Sequence, residues 1–167
     1  MINGLEKTYK ACMDDLEAPR DSEPYMIKRP LYFAKESRTW DQHGVAFISN
    51  EEDAENYTYG RLYLISRKQF EHLFAVENGR RGIVAIDYDV INAQKFQDFN
   101  YNFYNRIIQL EDNYKGYPVL TFTNKKNLHS NHPMPDYLEL IKAGIKEVYQ
   151  VEDIEFVLYF KRAGVEG

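Results

Sequence analysis

The chain has 167 residues, of which 44% are hydrophobic and 28% are charged. These fractions are typical of a globular protein, and the length is sufficient for one hydrophobic core. The net charge is −5, so the excess of basic residues expected of a protein that binds nucleic acid or an acidic membrane surface is missing. We therefore expect a single acidic domain over 1–167 that has neither of these partners.

Cys12 is the only cysteine, which rules out an internal disulfide and a cysteine-rich zinc site. No apolar run reaches the roughly 18 residues of a membrane-spanning helix, and the first residues do not resemble a signal peptide. The sequence therefore predicts a cytoplasmic protein.

The first half of the chain predicts two helices and three extended segments. Apolar residues from Leu5 to Leu16 share one helical stripe, and the second helix has Ser66 as N-cap and Gly79 as its stop. The predicted elements are a helix over 5–16, extended segments over 25–34, 44–49 and 57–65, and a helix from 67 to Gly79, with Phe70, Leu73 and Phe74 facing inward.

The second half predicts a strand, a long loop, a hairpin and two helices. Their ranges are 82–91 for the strand, 92–105 for the loop, 106–111 and 117–123 for the hairpin, 124–135 for a further loop, and 136–149 and 152–162 for the helices. The last helix carries Ile154, Val157, Leu158 and Phe160. Grouped strands with helices around them indicate an α+β fold, and the strand lengths suit a small barrel.

Few residues suggest a chemical site by themselves. His129 and His132 lie three apart in a loop, too few ligands for zinc, so we expect no metal and no cofactor. Glu77 lies at a helix C-terminus, where the helix dipole disfavours a negative charge. Glu77 is therefore either an ordinary surface glutamate, which these considerations favour, or a residue held at this position for a functional reason. A tryptophan such as Trp40 is likewise more often a core residue than a site residue.

Several segments, in this order, resemble the γ-glutamylcyclotransferase-like family. They are 37–40 (SRTW), 44–48 (GVAFI), 59–65 (YGRLYLI), 76–79 (VENG), 104–108 (YNRII), 117–122 (YPVLTF) and 133–137 (PMPDY). The family has a tryptophan before a glycine-led strand, a second strand with a Tyr-Gly pair, and a helix that ends in the catalytic glutamate. The resemblance spans roughly residues 25–150.

The resemblance implies a small mixed β-barrel with surrounding helices and an enzyme that converts a γ-glutamyl amine or peptide to 5-oxoproline and a free amine. Glu77 takes the place of the catalytic glutamate. Asn3, Gly4 and Leu5 stand where the family has a Tyr-Gly loop that holds the substrate, so that loop is degenerate or truncated. Trp40, Tyr104 and Tyr137 are the further candidates for substrate binding, although both tyrosines fit a packing role equally well.

The sequence also departs from the family pattern. Phe74 stands where the family has an aspartate, and an irregular insertion covers about 80–103. Two alternatives to the enzyme therefore stay open. One is a non-catalytic relative that binds a small amino-acid-like ligand. The other is an interaction module or homodimer that uses the aromatic segment 96–104 as its surface.

Overall fold

The computed structural model of the protein describes residues 17–165. This part of the chain is α+β. Its strands are β1 (Asp21–Ile27), β2 (Leu31–Ser37), β3 (His43–Ile48), β4 (Thr58–Leu64), β5 (Phe96–Asp98), β6 (Arg106–Tyr114) and β7 (Tyr117–Thr123). Its α-helices are α1 (Arg67–Glu77), α2 (Tyr88–Gln94), α3 (Pro135–Val148) and α4 (Asp153–Arg162), and one turn of 3₁₀ helix lies at Arg38–Trp40.

The strands form three small sheets, so the prediction of a small mixed β-barrel is wrong for the described residues. β1 pairs with β4, β2 pairs with β3, and β5, β6 and β7 form a three-stranded sheet in that order. The β2–β3, β5–β6 and β6–β7 pairs are all antiparallel. A barrel needs one continuous ladder of hydrogen bonds that closes on itself. Here the ladder is divided into three parts.

The described chain divides into two compact units, each with its own core. The first comprises residues 23–61 and 126–165. Its core packs side chains of β2 against those of α3, α4 and the residue after α4, namely Leu31, Phe33, Ile145, Phe156, Tyr159, Phe160 and Ala163. Phe33 and Phe156 are each 2% exposed, so this core excludes water.

The second unit comprises residues 17–22 and 62–125. Its core consists of Phe70 and Phe74 from α1, Ile91 from α2 and Ile107 from β6, with further aromatic rings packed around them. Phe74 is fully buried, which gives a physical reason for a phenylalanine at the position where the family pattern has an aspartate.

A tight hairpin joins β2 to β3. The pairing runs from Leu31 opposite Ile48 to Ser37 opposite His43, and its register shifts after Ala34. Lys35, Asp41 and Gln42 all have positive φ angles, which non-glycine residues rarely adopt. A bulge and a sharp turn therefore carry the chain through the 3₁₀ turn that contains Trp40.

The predicted hairpin over 106–123 is confirmed. Tyr114 faces Tyr117 across the turn, whose two central residues, Lys115 and Gly116, both have positive φ. Such a two-residue turn matches the twist of the strands that it joins. The predicted N-cap at Ser66 and the two C-terminal helices are confirmed as well.

The segment between α1 and β6 differs from its prediction. Residues 82–87 belong to no helix or strand, residues 88–91 belong to helix α2, and the predicted loop 92–105 contains the end of that helix and strand β5. The Asp87 side chain accepts hydrogen bonds from the backbone N–H groups of Asp89 and Val90 and so begins the helix. The predicted helix over 5–16 lies outside the described residues. Within 17–165, no helix is long and apolar enough to cross a membrane.

Candidate functional site

Helix α1 places Glu77 at its last position. The helix begins with a capping box, in which Ser66 Oγ accepts a hydrogen bond from the Gln69 N–H and Gln69 Oε1 accepts one from the Ser66 N–H. Gly79 has a φ of +67°, a conformation that favours glycine and ends the helix. Local sequence signals at both ends therefore fix where Glu77 lies.

Glu77 is exposed to solvent, and desolvation by the surrounding protein raises the pKa of its carboxyl above the ordinary value of 4.5. Its exposed position limits that rise, because water still reaches the charge. The described residues provide no hydrogen bond or ion pair to this carboxylate that would lower its pKa again. Glu77 can therefore take up and release a proton closer to neutral pH than an ordinary glutamate does.

Asn78 fastens the end of α1 to the backbone of Tyr104. Its Nδ2 donates a hydrogen bond to the Phe74 carbonyl at 2.9 Å, and its Oδ1 accepts one from the Tyr104 N–H at 3.0 Å. The residue directly after Glu77 thus holds Tyr104 in place. Asn78 is not among the residues predicted from the sequence, although asparagine before glycine at a helix end is a usable signal for a capping role.

The Tyr104 ring packs within the second unit. Its centroid lies 5.1 Å from that of Phe122 and 5.0 Å from that of Phe103, both in edge-to-face geometry. The residue is half-buried and belongs to the shell of the core around Phe74. Tyr104 therefore has the packing role that the sequence left open, and a role in substrate binding stays a prediction.

Trp40 and Tyr137 lie together in the first unit. Their ring centroids are 4.9 Å apart, and the Tyr137 ring also meets Phe33 edge to face at 6.2 Å. The Tyr137 hydroxyl accepts a hydrogen bond from the Ala46 N–H at 3.2 Å. These contacts brace α3 against β2 and β3, and both residues are half-buried. Their assignment to substrate binding stays a prediction.

The remaining substrate-binding candidates, Asn3, Gly4 and Leu5, lie outside the described residues. The aromatic segment 96–104 does not form an exposed patch. Phe99 and Tyr101 pack on Phe74 with centroid distances of 4.8 and 5.7 Å, and the Arg106 guanidinium lies 4.2 Å from the Phe96 ring centroid. Most of these aromatic rings are therefore used within the second unit itself.

An open depression of about 440 Å³ lies elsewhere in the second unit, at the start of α2. It is lined by Arg67, Ala85, Ile86, Asp87, Tyr88, Asp89 and Gln97. The Arg67 guanidinium lies 4.4 Å from the Tyr88 ring centroid, and burial together with Glu71 raises the pKa of the Tyr88 hydroxyl. Neither Glu77 nor Tyr104 lines this depression, so it is not the site that the sequence predicts.

His72, for which the sequence predicts no role, is buried in α1 at 5% exposure. Its Nε2 has no hydrogen-bond partner among the described residues, and nothing in them explains this. Within residues 17–165, no three or more histidine, cysteine, aspartate or glutamate side chains are grouped so that they could hold a metal ion.

No family model, no curated protein and no solved structure matches the chain. The membership of the γ-glutamylcyclotransferase-like family therefore stays a prediction from the motifs.

Proposed function

We propose that Glu77 is the acid–base residue of a γ-glutamyl cyclisation reaction, as the motif resemblance implies. The observation that carries this proposal is the combination of accessibility and chemistry at Glu77. Among the carboxyl groups of the described residues, that of Glu77 is the one whose pKa is raised. The pKa values of Asp53, Asp98 and Asp153 are lowered by their hydrogen-bond partners. A raised carboxyl pKa brings a general base closer to the operating pH, where proton transfer is most efficient.

The reaction needs one proton relay and little else. The α-amino nitrogen of the γ-glutamyl group attacks its own γ-carbonyl carbon, a new C–N bond forms, and the bond to the amine leaving group breaks. Glu77 takes the proton that the attacking nitrogen loses and returns it to the leaving amine. The products are 5-oxoproline and the free amine, so no oxidant, metal or cofactor enters the balance.

A sparse site is sufficient for such a reaction. The nucleophile and the electrophile belong to one molecule, and effective molarities for well-oriented intramolecular reactions reach about 10⁵ M or more. A protein that holds the substrate folded and supplies one base can therefore accelerate it. Asn78 contributes by fixing the end of α1, and with it the position of Glu77, against the backbone of Tyr104.

The test is the detection of 5-oxoproline by mass spectrometry after incubation with a panel of γ-glutamyl amines and γ-glutamyl dipeptides. Glu77→Gln removes the base while keeping the size of the side chain. Glu71→Gln is the matched control, because it makes the same change on the same helix. We expect product from the wild type and from Glu71→Gln, and a loss of about 100-fold or more in Glu77→Gln.

The pH dependence gives a second check on the same residue. Glu77 must be ionised to accept a proton, so kcat/KM should fall as the pH drops through its pKa, which lies above 4.5. If no compound of the panel gives 5-oxoproline with folded wild-type protein, the enzymatic proposal is wrong, and the non-catalytic alternative takes its place.

A further inference from the structure

One face of α4 exposes three large apolar side chains. Ile154 is 70% exposed, Val157 is 63% exposed and Leu158 is 55% exposed. With about 100° between successive residues of a helix, positions i, i+3 and i+4 lie on one face. These three residues therefore form a continuous stripe, which we call the α4 stripe.

The core of the first unit does not need the α4 stripe. The same helix already packs Phe156, Tyr159 and Phe160 into that core, and Ala163 directly after the helix is buried there too, all at 7% exposure or less. These residues lie on the side of the helix opposite the stripe. A helix that is apolar on two sides is expected to cover the second side with a partner.

The ends of α4 carry opposite charges. Asp153 and Glu155 lie in the first turn, and Lys161 and Arg162 lie in the last turn. When two such helices run antiparallel about a two-fold axis near Val157, the acidic turn of each one lies beside the basic turn of the other. In that arrangement the partially positive N-terminus of each helix also lies beside the partially negative C-terminus of the other, which is favourable.

We propose that the α4 stripe binds a second copy of this chain, with the two α4 helices antiparallel. Val157 and Leu158 of each copy meet at the centre. Glu155 lies beside Arg162 of the other copy on one flank, and Asp153, on the other flank, lies near Lys161, which follows the stripe of the other copy at its C-terminal end. A face whose centre is apolar and whose two ends have opposite charge is complementary to itself, as a two-fold interface requires. This proposal does not depend on the role of Glu77.

The size of the contact sets the expected strength. A standard stable interface buries about 1,600 Å² in total, or about 800 Å² on each partner. One ten-residue helix provides less than that on each copy. We therefore expect a dimer that dissociates on dilution, with a dissociation constant on the order of 10–100 µM.

Sedimentation equilibrium over about 5–500 µM tests the proposal, because this range spans the expected dissociation constant. The average mass of the wild type should rise from 19.8 kDa towards twice that value as the concentration increases. Val157→Glu should stay monomeric across the range, since it brings two carboxylates together at the centre of the contact. Ile83→Glu is the matched control, because Ile83 is 56% exposed outside α4, and it should dimerise like the wild type.

A charge exchange tests the antiparallel orientation. Glu155→Lys and Arg162→Glu should each weaken the dimer about tenfold by placing like charges side by side, and the double variant should restore it. These two residues are chosen because Asp153 already forms an ion pair with Lys146 of its own chain. A circular dichroism spectrum of each variant should match that of the wild type, which shows that the monomer is still folded.

Three results would overturn the proposal. The first is a wild type that is monomeric over the whole range. The second is a dimer that persists in Val157→Glu, which would place the contact on another surface. The third is a dimer that the double charge variant fails to restore, which would exclude the antiparallel arrangement.

Discussion

Gly44 is a position where the absence of a side chain is a structural requirement. A Cβ atom there would lie 2.0 Å from the carbonyl oxygen of Asn131, which is backbone and has little freedom to move. The Gly44 N–H also donates a hydrogen bond to the His132 carbonyl at 2.9 Å, so the two chain segments are held close together. The loop that contains His129 and His132 thus packs on β3.

We expect Gly44→Ala to lower the free energy of unfolding by at least about 2 kcal/mol, because the added methyl group must push the two segments apart. Gly60→Ala is the graded comparison, since its Cβ would lie 3.0 Å from the Tyr25 carbonyl oxygen and should cost less. Urea denaturation measures both losses. Equal stability of Gly44→Ala and the wild type would show that this contact is not close.

Asp98 and Arg106 form a bidentate ion pair between β5 and β6. Arg106 Nε donates to Asp98 Oδ1 at 2.6 Å and Nη2 donates to Oδ2 at 2.9 Å, and the two residues face each other in the ladder. The hydrogen bond from Arg106 lowers the pKa of Asp98 below its ordinary value of 3.8. The ionised carboxylate therefore stabilises the folded state.

We expect Asp98→Asn to lower the free energy of unfolding by about 1 kcal/mol at pH 7, since the pair is bidentate but partly exposed. A group whose pKa is lowered by folding contributes its stability above the unfolded value and loses it as the pH falls through the folded value. The difference between variant and wild type should therefore shrink below pH 3.8. Asp153→Asn, at 84% exposure, is the control and should show a smaller loss. A pH-independent difference would contradict this account.

The end of α1 depends on Asn78, whose side chain connects this helix to the segment before β6. Asn78→Ala removes both of its hydrogen bonds, so we expect a loss of about 2 kcal/mol in unfolding free energy. Hydrogen exchange at the Tyr104 amide should also become faster, because that N–H loses its acceptor. Asn100→Ala, at an exposed site in the same unit, should change neither quantity. Unchanged exchange at Tyr104 in Asn78→Ala would exclude the connection.

Elements with local signals could be predicted from the sequence, whereas elements set by distant contacts could not. Ser66 and Gly79 mark the limits of α1, and Lys115 and Gly116 form a turn that fixes the register of the hairpin. Ile83, Val84 and Ile86 suggested a strand over 82–91, but residues 82–87 belong to no strand, and the Asp87 cap begins a helix at Tyr88. Intrinsic β preference alone does not make a strand there, because these residues have no partner strand within 17–165.

Of the four residues noted on the last helix, only Phe160 is buried in the structure. Hydrophobicity alone could not decide which side of α4 faces the core, because both sides are apolar. The neighbouring side chains decide it, and they come from β2 and α3, which are far away in sequence. The α4 stripe is therefore visible only in the folded chain.

The predicted barrel is wrong because alternating residues reveal a strand but not its partner. The division of the strands among three sheets depends on contacts between segments that are far apart in sequence, as in the pairing of β1 with β4. Each of the two compact units instead closes its own core, around Phe156 in one and Phe74 in the other. The predicted position of Glu77 does not depend on the barrel, since α1 is defined by its own caps. Its catalytic role stays a prediction.

The rate of 5-oxoproline release, compared between the wild type and Glu77→Gln at one pH on one γ-glutamyl substrate, tests the central claim most directly. The account predicts a rate at least about 100-fold lower in the variant, with Glu71→Gln unchanged. Equal rates in the wild type and Glu77→Gln would contradict it, because the reaction would then proceed without the proposed base.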